Sequence, residues 1–256
     1  MITIKSDREI ALMKEAGRIT AYAHEKVRQA IRPGISTAEL NKVAEKAIRE
    51  CGAIPSFLDY QGYPASICAS VNEVVIHGIP NKKTILKNGD IISIDIGAIY
   101  HGYHGDAART HCVGEVKDEV KTLVEMTKLA FYEGIKMAKP GNRLSDISHA
   151  IGSFAEKYGY GVVRDFTGHG IGQKMHEDPA VPNYGEAGHG PILKKGMCLA
   201  IEPMINLGTY RVKVLSDGWT TVTQDKRPSA HFENTIVITD DGCEILTKYE
   251  GEKLDV

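Results

Sequence analysis

The sequence predicts an α+β fold in a single domain, with helices gathered at the start of each of two similar halves and strands following them. Three observations predict it. Helix-start and helix-stop signals come as a pair within residues 6–52 and again within 118–159. After each pair, apolar and polar residues alternate with the period of a half-buried strand. Shifted by 107 positions, Pro33, Gly34 and Gly52 fall on Pro140, Gly141 and Gly159, Glu39-Leu40 on Asp146-Ile147, and Thr20, Ala23 and Arg32 on Thr127, Ala130 and Lys139. A repeated helix–Pro-Gly–helix–Gly order implies two related halves, about 6–114 and 115–250, within one domain spanning 1–256.

Each element has its local reason. Ser6 with Glu9 three residues on forms a capping box, and Ile10, Met13, Gly17 and Thr20-Ala21 recur at helical spacing until Pro33-Gly34. Ser36-Thr37-Ala38-Glu39 caps a second helix that runs to about Cys51 and stops at Gly52. The strand text of the first half is ASICASVNEVVIHG, DIISIDIGAIY and GDAARTHCVG. In the second half, residues 118–138 read as a helix, Pro140-Gly141 stops it, and another helix runs to Tyr158. YGVVRDFTGHGIG, MCLAIEPMINL, RVKVLSDGWTTVTQD and HFENTIVIT then read as strands separated by glycine-rich turns.

Composition narrows the function. The net charge of -2 provides no global basic field for nucleic acid. The five cysteines, at 51, 68, 112, 198 and 243, are odd in number and contain no CxxC pair, which argues against a disulfide scaffold or a zinc knuckle and for reduced thiols in the cytoplasm. The N-terminus is charged within ten residues, unlike a signal peptide, and no apolar run approaches a membrane span. No GxSxG string is present.

Five ligand-type residues interrupt the strand text. In IISIDIG, Ile92, Ile94 and Ile96 share one strand face, and Ser93, Asp95 and Gly97 share the other. Asp106 follows beyond a turn rich in glycine and aromatics, at a spacing that lets a hairpin return it beside Asp95. Glu202 shares parity with Cys198 and Ala200, and Glu233 with Thr235 and Val237, in segments where an unpaired charge is rare. His169 in TGHGIG is flanked by glycines that would let it approach an ion closely. Two like charges in contact repel unless a cation lies between them. Four carboxylates and one imidazole make too hard a donor set for a thiolate zinc site, and suit two divalent ions sharing a water whose pKa they lower. Mn, Fe, Co and Zn all remain open.

The strings around these residues complete a pattern. VNEVVIHGIP (71–80), GDIISIDIG (89–97), GYHGDAAR (102–109), TGHGIG (167–172), MHEDPAVPNY (175–184) and GMCLAIEPM (196–204) resemble the type I methionine aminopeptidases, and the ligand order resembles that of the pita-bread metallopeptidases. The resemblance runs from about Lys5 to Leu246. It implies a pita-bread fold, two pseudo-twofold halves whose curved, mainly antiparallel sheet carries helices on its outer face. It also implies removal of initiator methionine from nascent chains with a small second residue, by a dinuclear metal-activated water. Asp95 would bind one metal, His169 and Glu202 the other, and Asp106 and Glu233 both. His77 would hydrogen-bond the substrate, His176 would polarise the scissile carbonyl, and Glu202 would shuttle a proton to the leaving amine. Tyr60, Tyr63, Cys68 and Trp219 would line the methionine pocket, and Asn72, Val74 and Ser229 would match a monovalent-cation site. A short, bacterial-style cytoplasmic monomer with transient ribosome contact is the implied form.

Two departures from the family pattern, Met175 before His176 and Ile76 before His77, are expected near the methionine pocket. Without the resemblance, His77 could cap a strand, His176 could be a loop histidine paired to acids, and Tyr60, Tyr63 and Trp219 could be ordinary aromatics. His101, His104 and His111 read as structural, and His231, on the strand face of Glu233, as a neighbour of the ligands. Two further functions stay open. One is a proline-specific peptidase of the same fold, which would usually carry an extra N-terminal domain. The other is a silent binding protein, which would have lost ligands that this chain keeps.

Overall fold

The computed structural model describes residues 1–248, so the last two residues of the predicted second half, and the chain beyond them, lie outside the described residues. The four predicted helices form: α1 (Asp7–Ala30), α2 (Thr37–Glu50), α3 (Asp118–Ile135) and α4 (Leu144–Lys157). Ser6 and Glu9 close the capping box of α1, and Ser36 and Glu39 that of α2. These reciprocal bonds satisfy N–H groups that the first helical turn cannot pair.

Fifteen strands are described: β1 (Ile54–Pro55), β2 (Ile67–Val71), β3 (Val74–Ile76), β4 (Ile91–Tyr100), β5 (Tyr103–Cys112), β6 (Gly161–Val162), β7 (Gly168–Gly170), β8 (Glu177–Val181), β9 (Cys198–Ile201), β10 (Met204–Asn206), β11 (Val212–Val214), β12 (Thr221–Thr223), β13 (Ser229–His231), β14 (Asn234–Ile238) and β15 (Cys243–Ile245). All the described pairings are antiparallel. Four ladders result: β1-β4-β2 with β5 on β4, β13-β10-β6, β11-β12-β3, and β15-β14-β9-β7-β8. Strands β1, β8 and β15, and all of β13 but His231, were not foreseen. The first has two residues, too few to alternate, and β8 contains Pro179, which reads as loop.

Two apolar cores lie between helices and strands. One joins Ile19, Val27, Leu40 and Ile48 of α1 and α2 to Ile67 of β2 and to Ile92, Ile94 and Ile96 of β4. The other joins Phe131, Ile147 and Ile151 of α3 and α4 to Leu199, Ile201, Ile236 and Ile238 of β9 and β14. The isoleucine face of β4 is therefore spent on the helices, which leaves Asp95 facing the other way. Helix α1 crosses β5 at backbone distance: a Cβ on Gly105 would stand 2.7 Å from the Gly17 nitrogen. No helix among the described residues is long and apolar enough to cross a membrane.

Candidate metal centre

Backbone register brings the five ligand-type residues together. The β4–β5 hairpin pairs Gly97 with Asp106 and Asp95 with Ala108, placing the two aspartates on adjacent strands. Glu233 lies between β13 and β14, and its backbone exchanges hydrogen bonds with Ala108 (3.0 and 3.3 Å). Thr235 ties the same segment to Asp106, accepting from the Asp106 N–H at 3.0 Å and donating to its carbonyl at 2.9 Å. Glu202 follows β9, and its carbonyl accepts from Asn183 Nδ2 at 3.0 Å. His169 sits at the centre of β7, opposite Ala200 of β9 and Ala180 of β8.

The glycines beside His169 also have a packing role. A Cβ on Gly168 would stand 2.3 Å from the Ala200 carbonyl oxygen, and one on Gly170 2.1 Å from that of Asp178. They let β7 fit between its neighbours, and the imidazole is positioned as a result.

His169 Nε2 is 3.8 Å from Asp106 Oδ2 and 3.5 Å from Glu202 Oε1. One ligand atom each from Asp106, His169 and Glu233 lies within 4.8 Å of the others. All five residues line one cavity. Burial raises Asp95 to about 7. Burial first, and then the neighbouring carboxylates, push Asp106, Glu202 and Glu233 well above the usual carboxylate range.

Three features suit this set to divalent cations. Asp95 Oδ1, Asp106 Oδ1 and Glu233 Oε1 are buried with no hydrogen-bond partner, a costly state for an acceptor. His169 Nδ1 meets the Gly170 carbonyl at 2.9 Å. A carbonyl only accepts, so Nδ1 carries the proton and Nε2 keeps a lone pair facing the acids, the tautomer a metal ligand needs. Burial also drives His169 down to about 3, so the ring is neutral at pH 7.

The cavity measures about 180 Å³ and is walled by Phe57, Tyr60, Gln61, Tyr63, Cys68, His77, Met175, His176 and Trp219 beside the acids. The four residues expected in the pocket are thus together. Cys68 of β2 pairs with Asp95 of β4, which puts its thiol on the acid's face. Tyr63 meets Trp219 edge to face at 5.1 Å. Met175 lines the cavity as expected, whereas Ile76 does not: its side chain packs with Val75, Val163 and Met204. Strand β3 ends at Ile76, and the left-handed turn at His77 carries that imidazole into the cavity while Ile76 stays in the apolar cluster.

Phe57 and Gln61 were not foreseen. Phe57 arrives because Gly97 has no side chain; a Cβ there would stand 2.8 Å from the Phe57 ring. That glycine on the Asp95 face was the available signal.

His77 has φ +59°, a left-handed conformation that costs a non-glycine residue energy and concentrates at functional sites. It stands edge-on to Phe166 and Trp219, and burial lowers it to about 4. His176 Nδ1 is 2.7 Å from the Tyr60 hydroxyl, and its ring centroid is 4.3 Å from that of His169. His231 Nε2 is 4.0 Å from Glu202 Oε2, so it does border the ligands. His104 is buried and bonds Ser56, His24 donates to the Ala107 carbonyl, and His101 sits in the β4–β5 turn. The Asn72 carbonyl accepts from the Ser229 N–H at 2.9 Å, while Val74 lies across from Val222.

Comparison with known proteins gives one family. The model of metallopeptidase family M24 matches residues 11–240. A methionine aminopeptidase of Clostridium acetobutylicum is 55% identical over 98% of this chain and 100% of its own. The crystal structure of a methionine aminopeptidase from Thermotoga maritima superposes with a TM-score of 0.96 at 48% identity, over 97% of this chain and all of the other. A prolidase from Pyrococcus furiosus superposes with a TM-score of 0.79 at 26% identity, and this chain spans 66% of it.

Proposed function

The chain belongs to metallopeptidase family M24 and has its pita-bread fold, and on that footing we propose that it hydrolyses the N-terminal methionine from polypeptides. The observation that carries the reading is that the acid cluster shares one small cavity with an aromatic and apolar wall. An apolar cavity of ~150 Å³ holds a benzene-sized guest, so a cavity of about 180 Å³ has room for a thioether side chain beside the acids. Aromatic faces and Met175 suit its polarizable sulfur.

Asp95 would hold one divalent ion, His169 and Glu202 a second, and Asp106 and Glu233 both. When bound, such a pair lowers the pKa of a shared water and polarises the scissile carbonyl. The chain's own residues supply the rest. The Glu202 carboxylate takes up a proton and passes it to the leaving amine. Neutral His77 hydrogen-bonds the substrate near the scissile amide. With Tyr60 as the donor to Nδ1, His176 would carry its proton on Nε2 and offer a hydrogen bond to the carbonyl oxygen as charge develops there. Tyr63, Cys68 and Trp219 hold the side chain. A free α-amine beside the acids restricts cutting to the first residue.

Further parts of the reading concern setting and organisation. The substrates would be new chains with a small second residue, met in the cytoplasm by a monomer in transient contact with the ribosome. The ions would be Co, Mn, Fe or Zn. Asn72, Val74 and Ser229 would hold a monovalent cation on backbone oxygens. Residues 6–114 and 115–250 would be related halves of one domain. In support, Ser36 bridges to Ile85 and Arg143 to Ile192, each pair displaced by the same 107 positions that separate Asp95 from Glu202.

The test is cleavage of Met-Ala-Ser, Met-Lys-Ser and Ala-Pro-Ala with metal bound. Cleavage of the first alone is expected. Cleavage of only the third would mean a proline-specific peptidase, and cleavage of none would mean a binding protein.

A further inference from the structure

His176 is carried on a short loop, residues 171–176, between β7 and β8, and the residue after it, Glu177, does not line the cavity. Glu177 Oε2 meets Lys5 Nζ at 2.7 Å and accepts from the Thr3 hydroxyl at 2.6 Å. Glu177 Oε1 accepts from the Lys174 N–H at 3.2 Å, inside the same loop. The Lys5 and Glu177 side chains are 5% and 11% exposed, so this is a largely, though not fully, buried ion pair. Lys5 is itself fixed: its N–H donates to the Gly196 carbonyl at 2.8 Å, and the next residue caps α1. Gly172 completes the fit, since a Cβ there would stand 2.6 Å from both Glu177 Oε1 and Lys5 Cε.

Burying two charges costs desolvation that their attraction returns only when the remaining hydrogen-bonding positions are filled, so such a pair adds little stability and is best used to specify geometry. Here the geometry it specifies is that of the loop ending in His176. The exposed pair between Lys195 and Asp240 provides the contrast, since it lies in water and fixes nothing near the cavity.

We infer that Lys5 and Glu177 are positioning residues, a clamp by which the segment before α1 holds the His176 loop in register with the cavity. The inference rests on the proposed role of His176. Glu177 acts through its peptide bond to His176 and through the Lys174 N–H, and touches no substrate. Removing Lys5 would leave the Glu177 carboxylate buried without its cation, and the loop would open to hydrate it.

The test compares the full-length wild type with Lys5→Met, Glu177→Gln, the double variant and the milder Thr3→Val, each well below its unfolding temperature. Lys5→Met is expected to lower kcat on Met-Ala-Ser about tenfold with KM within about twofold, the pattern of a group that matters only in the transition state. Amide exchange at Lys174, followed by NMR on the metal-free protein, should speed up about tenfold by local opening. The double variant, with no buried charge left, should recover part of both losses, and Thr3→Val should show a smaller change in the same direction. A folded Lys5→Met that keeps wild-type kcat and wild-type exchange while only its Tm falls would overturn the inference. If the wild type cleaves no methionyl peptide, the functional reading fails by itself, and the exchange rates still decide whether the clamp exists.

Discussion

At the scale of single residues, the chemistry depends on protonation states that burial sets. Glu202 is held among acids, and its proposed task is to carry one proton. Glu202→Ala is expected to abolish turnover while circular dichroism and Tm report an intact fold; turnover at the wild-type rate would remove Glu202 from that role. The Tyr60 hydroxyl and His176 Nδ1 share one hydrogen bond that orients the ring. Tyr60→Phe removes about 1 kcal/mol of such a bond, so kcat should fall roughly five- to tenfold. KM should hold, because the ring still lines the cavity. A change in KM alone would assign Tyr60 to the pocket wall only. Much of this was legible in the sequence, because a carboxylate on an apolar strand has few harmless explanations. The Tyr60–His176 contact was not, since the two are 116 residues apart and nothing local ties a loop tyrosine to a distant imidazole.

At the scale of elements, close backbone packing decides where the ligands stand. The crossing of α1 over β5 leaves no room beyond hydrogen at Gly105, whose Cβ would meet Gly17 nitrogen at 2.7 Å and Ala16 carbon at 2.8 Å. The obstacle is helix backbone and cannot rotate away. Gly105→Ala should therefore cost about 2–3 kcal/mol, read in urea as a lower midpoint with an unchanged slope. Activity should fall as well, because Asp106 is the next residue. An unaffected midpoint would show that helix and strand can separate without loss. Helices were readable from Ser6-Glu9, Ser36-Glu39 and the Pro-Gly stops, where cap chemistry is local. The hairpin was readable because Ile92, Ile94 and Ile96 alternate. Strand β8 was hidden, since what makes Glu177–Val181 a strand is pairing with β7, a tertiary choice.

At the scale of the whole molecule, the fold gathers acids from both halves and must hold them together. Asp95 lies near 7, and Asp106, Glu202 and Glu233 are raised too, all above the roughly pH 4 range of an unfolded carboxylate. Over that window the metal-free fold keeps protons that the unfolded chain has lost. Their contribution to stability is thus whole at low pH and is lost as pH rises, that of Asp95 through about 7. Buried His77, near 4, and His231, near 3, act in the opposite sense, costing stability as pH falls below about 6.5. Divalent ions bind the deprotonated ligands, so the gain in Tm on adding metal should grow from about pH 5 to about pH 7.5. Calorimetry at matched pH measures it, and a gain indifferent to pH would mean that these carboxylates do not hold the ions. Repetition at 107 residues made this scale partly legible from sequence. The strap from Thr3 and Lys5 to Glu177 was not, because it joins the start of the chain to the first residue of β8, more than 170 positions away.

The most direct test is turnover of Met-Ala-Ser followed while metal-free protein is titrated with one divalent ion under anaerobic conditions. Activity should be absent at the start, appear in proportion to bound ion, and stay absent in an Asp106→Ala, Glu233→Ala double variant. Full turnover by the exhaustively chelated protein would contradict the claim that these side chains work by holding metal.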